Sequence, residues 1–139
     1  MLKKTLFIFI FFLISSLNVG AKDFKYIEIF SIKDGKVIKT VQLNEEIEKI
    51  ANNYIHDIEG IYCKFDPIPN DGYAVKIPLQ NTVKLSRKGS NFMIDAVIVI
   101  FPKDEEPFLM CFENNKLFCY TFKGDTKILW KALEVKAGD

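Results

Sequence analysis

The chain has 139 residues, the length of one domain rather than two. Hydrophobic residues make up 49% and charged residues 27%, which excludes a disordered or acidic-tail chain. Lys+Arg is 19 and Asp+Glu is 18, a formal net charge of +1, so a strongly basic nucleic-acid binder is excluded as the first reading.

In chain order, residues 1–21 read as a secretory signal peptide. Lys3 and Lys4 form the charged start, and Leu6 to Leu17 is an apolar stretch of Leu, Phe and Ile. Val19-Gly20-Ala21 fits a small-residue cleavage site, with cleavage expected after Ala21. The apolar stretch is shorter than the roughly 20 residues a membrane-spanning helix needs. The alternative is an uncleaved anchor over Leu6–Val19, the chain's one expected route to a membrane. No Cys lies near the end of the stretch, so a lipid-modified anchor is not expected. Residues 22–139 remain as a single domain, with no linker or repeat to divide them.

Tyr26–Ile32 alternates as a strand does, Asp34-Gly35 marks a tight turn, and Val37–Val41 is the return strand. Asn44 is placed as an N-cap, with Glu45 and Glu46 in the first turn. Ile47, Ile50, Ala51, Tyr54, Ile55 and Ile58 then share one arc at helical spacing, and Gly60 is expected to stop the helix. The spacing predicts a helix over about 44–59. Ile61–Phe65 is a short strand, and Asp66–Gly72 a loop stiffened by Pro67 and Pro69. Tyr73–Ile77 is expected to end at Pro78, and Thr82–Leu85 to be a separate short strand.

Met93–Phe101 is almost continuously apolar and β-branched beyond Asp95, the pattern of a strand buried on both faces. Pro102–Pro107 is a charged loop. Phe108–Phe112 and Lys116–Phe122 follow as strands of an antiparallel meander, joined at Asn114-Asn115. A two-residue turn there sets Cys111 opposite Phe118 and Met110 opposite Cys119. The two cysteines then lie on opposite sheet faces and cannot bond, unless a one-residue bulge shifts the register. Cys63, Cys111 and Cys119 are therefore expected to be buried thiols acting as small hydrophobes. A short final helix is expected over about 125–135.

The expected fold is α+β: a curved antiparallel sheet of about six to seven strands, packed by a long and a short helix. Central strands apolar on both faces need two covers. The long helix supplies one; the C-terminal helix or the first hairpin is the expected source of the other. A face left bare would be a surface for an envelope protein or for self-association.

Little in the chain carries chemistry. His56, the only His, falls opposite the helix's apolar arc, where an exposed residue is expected. Ser31, Ser86 and Ser90 lie in no nucleophile-elbow pattern that would pair one of them with His56. Counting a calcium loop from Asp66 puts Ile68 at position 3 and Asp71 at position 6, where an oxygen ligand and Gly are required. No metal, cofactor or nucleic acid is expected. Tyr26, Tyr62, Tyr73 and Trp130 are read as core rather than as a stacking platform. The rigid loops are the candidate contacts: Asp66, Asn70, Asp71 and Tyr73 in one, Asp104 and Glu105 in the other.

The segment Gly60-Ile-Tyr-Cys-Lys-Phe-Asp-Pro-Ile-Pro69, with Gly72-Tyr-Ala-Val-Lys-Ile-Pro-Leu79, Ile98–Pro102 and Pro107–Met110, resembles small exported proteins of spore-forming Gram-positive bacteria. That resemblance spans nearly all of residues 22–139 and implies export; no activity or catalytic residue comes with it. The reading favoured is an exported, non-catalytic binding module at the envelope or outside the cell. The alternatives are an exported carboxylate-based hydrolase and a membrane-retained accessory protein.

Overall fold

The computed structural model describes residues 24–62, 68–87, 90–113 and 116–134. Within them seven strands form one antiparallel sheet with two helices on it, an α+β architecture. The strands are β1 (Tyr26–Ser31), β2 (Lys36–Gln42), β3 (Ile58–Ile61), β4 (Gly72–Arg87), β5 (Ser90–Pro102), β6 (Phe108–Glu113) and β7 (Lys116–Phe122). The helices are α1 (Glu45–His56) and α2 (Thr126–Ala132). The sheet order is β2-β1-β4-β5-β6-β7-β3, so β2 and β3 are its open edges.

The first hairpin turns where Asp-Gly stands. Gly35 takes φ 66°, and its N–H donates to the Ser31 carbonyl at 2.8 Å. The following helix is capped as its sequence dictates: Asn44 Oδ1 accepts the Ile47 N–H at 2.9 Å, and three glutamates sit in the first turn. Its apolar arc, Ile47 to Ile55, is buried against the sheet. The helix does not reach Gly60. It ends at His56, with Asp57 as C-cap. The chain leaves early because Ile58 pairs with Phe122 and Gly60 with Thr121, while Lys123 N–H donates to the Asp57 carbonyl at 3.0 Å. Gly60 is therefore a strand residue. A Cβ there would meet only Thr121 Oγ1, at 3.8 Å, so no backbone demand selects glycine. The strand expected over Ile61–Phe65 begins three residues earlier, and residues 63–65 lie outside the described residues.

The two short strands expected around Pro78 are one. β4 runs through Pro78 and shifts register against β5 between Pro78 and Val83. The irregular stretch is held by other elements. Glu48 of α1 accepts the N–H groups of Gln80 (2.9 Å) and Asn81 (3.3 Å), and Lys25 Nζ donates to the Leu79 carbonyl at 2.7 Å. A carboxylate at those amides replaces ladder bonds and lets one strand continue past a residue with no N–H.

β5 is buried on both sides, as its composition predicts. Val97 and Val99 face the helices, while Ile98 and Ile100 face away, all nearly inaccessible. The β6–β7 register is the one the two-residue turn implies, Met110 opposite Cys119 and Cys111 opposite Phe118. Cys111 and Cys119 are free thiols on opposite faces; Cys63 lies outside the described residues. α2 begins where Asp125 accepts the Lys127 N–H at 2.9 Å. It closes earlier than the sequence suggests: Leu133 is its C-cap, and Glu134 takes φ 57°, off the helical path.

Both helices cover the same face. Leu129 and Leu133 of the α2 region join the core that Ile47, Ile50 and Tyr54 form with β1, β4, β5 and β6. The other face buries Phe30, Ala74, Ile98, Ile100, Phe108 and Met110, with Tyr62 and Ile68 packed onto it. The Tyr62 ring stacks on Phe108 with centroids 3.9 Å apart. The C-terminal helix lies on the first face and does not supply this second cover; among the described residues Tyr62, Ile68 and Ile32 of the first hairpin's turn do. At its far end this face leaves the cross-strand pair Phe112 and Leu117 exposed. Among the described residues no helix is long and apolar enough to cross a membrane.

Candidate functional site

The two proline-containing loops meet at one end of the sheet. Gly72 opens β4 opposite Pro102 of β5, with φ 126°. A Cβ on it would lie 2.0 Å from the Phe101 carbonyl oxygen, so only glycine allows the strands this close. Next to that contact, Lys103 N–H donates to the Asp71 carbonyl at 3.2 Å, and Ile32 N–H donates to the Gly72 carbonyl at 3.0 Å. The loops are thus tied to each other and to the first hairpin by backbone bonds.

Between them lies a cleft of about 420 Å³, lined by Ile68–Asp71 on one side and Pro102–Glu105 on the other. Four of the six residues singled out from the sequence, Asn70, Asp71, Asp104 and Glu105, line this one cleft. Asp66 lies outside the described residues. Tyr73 is elsewhere: its ring meets Trp130 edge-on at 5.9 Å, as part of the helix-side core. Strand alternation explains the separation, since Tyr73 stands on the face of Val75 and Ile77.

The cleft combines an apolar floor of Ile68, Pro69 and Pro102 with a rim of three carboxylates and one ammonium. Lys103 Nζ stands 3.9 Å from the Asp71 carboxylate, and both side chains are well exposed, so the pair adds little stability. Asp104 and Glu105 are exposed as well. A rim of exposed carboxylates attracts positive charge. Among the described residues no group of His, Cys, Asp and Glu is arranged to hold a metal ion.

His56 reaches a second, smaller cleft of about 320 Å³, with Glu59, Lys84 and Ser86 around Ile55, Ile58 and Leu85. The sequence offered no reason for His56 and Ser86 to share a cleft; the long β4 arm brings them there. Ser86 Oγ donates to Asn91 Oδ1 at 2.6 Å, and among the described residues no hydrogen bond joins it to the imidazole. The pair is not set up as nucleophile and base.

Charged groups on the buried parts of the sheet are structural partners. Lys76 is almost wholly buried and pairs in register with Glu28 across β1 and β4. Burial lowers the Lys76 pKa, while the charges of Glu28 and Asp95 pull it back up. Burial raises the Glu28 carboxyl, with Lys76 opposing. Both thiols are held in the protonated form: burial, with the Glu113 and Cys119 charges adding to it, pushes Cys111 up to about 12, and burial pushes the half-buried Cys119 to about 11.

Like Lys76, a second buried charged residue is one that the sequence alone does not announce. Glu113, at the end of β6, is 2% exposed. Tyr120 Oη donates to its Oε2, and among the described residues its Oε1 has no hydrogen-bond partner. Strand parity was the available signal: Leu109, Cys111 and Glu113 share a face. No family model, curated protein or solved structure matches this chain.

Proposed function

We propose that the protein is an exported, non-catalytic binding module, and that it engages a positively charged partner of the cell envelope through the cleft between Ile68–Asp71 and Pro102–Glu105. The observation that carries this reading is the convergence of two rigid loops into one cleft with an apolar floor and an acidic rim. A Lys or Arg side chain suits both parts, laying its alkyl stem on the prolines and placing its charge among the carboxylates. Prolines, Gly72 and the Lys103–Asp71 backbone bond order the loops beforehand, which lowers the entropy lost on binding. The signal-like residues 1–21 support export, and the exposed state of the carboxylates favours binding over hydrolysis.

Trp130 provides the test, because it is the only tryptophan in the chain. It packs 4.7 Å from Phe101, the residue before the Pro102 loop. Titration with a lysine-rich peptide at low salt is expected to change Trp130 fluorescence and to shift the amide resonances of Asn70, Asp71, Asp104 and Glu105. Asp71→Asn with Asp104→Asn should weaken binding by roughly 2–30-fold, at ~0.2–1 kcal/mol per exposed pair. Binding that survives the double substitution unchanged, or shifts confined to the His56 cleft, would overturn the assignment. Export is tested separately by intact mass: protein recovered from the medium should begin at Lys22, whereas a full-length species in the membrane fraction would point to a retained anchor.

A further inference from the structure

We draw no further inference here: the strongest candidate, the open β2 edge of the sheet with Val37 and Ile38 exposed, carries a register step at Ile38 and lysines at positions 36 and 39 that blunt strand addition, and nothing in the structure shows what covers it.

Discussion

The two faces of the sheet share their strands and differ in how they are covered. On one face, α1 lays a regular apolar arc, Ile47 to Ile55 at helical spacing, over Ile, Val and Leu of the strands. On the other, Tyr62, Ile68 and Ile32, none of them in a helix or strand, pack over Phe108 and its neighbours, and a charge pair, Glu28 with Lys76, sits in the register row of Ile98 and Met110. A periodic cover can be recognised from spacing alone, because 3.6-residue repeats mark the buried side. A loop has no period, so its position depends on how the sheet around it is assembled.

The largest test of this contrast is at the cleft end. Gly72→Ala is expected to cost about 4 kcal/mol or more, because its Cβ would collide with the Phe101 carbonyl in a left-handed conformation. Thermal unfolding checks it, and a cost under about 1 kcal/mol would mean that the loops can shift apart. On the helix face, Ile55→Ala should cost about 2–5 kcal/mol by cavity formation. Tyr62→Ala on the opposite face should cost less, since Tyr62 is only half-buried. An equal loss from the two would show that loop cover and helix cover hold the sheet equally firmly.

A finer difference is electrostatic. Glu28 has its pKa raised in the folded state, so the proton favours folding. Its contribution is fully present below about 4.5 and is lost as pH rises through the folded value. Glu28→Gln should flatten the stability profile just above pH 4.5, as measured by denaturant midpoints. A profile unchanged by the substitution would place the titration elsewhere. Lys76 works in the opposite sense: its lowered pKa favours the folded state above about 10.5 and costs stability as pH falls through the folded value.

The smallest effect is chemical rather than thermodynamic. At pH 8, with thiols near 12 and 11, Cys111 and Cys119 should alkylate about 1000-fold and 100-fold more slowly than in the unfolded chain. Peptide mapping after labelling, with and without denaturant, measures both. Rapid native labelling of Cys119 would show that its side of the sheet opens.

Much of the framework was legible because the signals were local. Asn44, Asp125 and Asp34-Gly35 act within three or four residues, and a two-residue turn sets the β6–β7 register without outside help. The candidate loops were recognisable from their prolines and acids, but their meeting was not. Asn70 and Glu105 approach because β4 and β5 pair up to Gly72 and Pro102. Tyr73 was assigned to the loop by position along the chain, although strand parity sends its ring into the core.

What the amino-acid sequence determined by itself was most of the elements, the doubly buried β5 and the placement of Cys111 and Cys119 on opposite faces. Tertiary structure decided where α1 stops, how β4 passes Pro78, what covers the second face and how Glu113 is buried. The reason is range. Periodicity, caps and turns act between near neighbours, whereas these outcomes rest on contacts such as Glu48 with Gln80 and Lys25 with Leu79, 32 and 54 residues apart, which exist only once the sheet has formed.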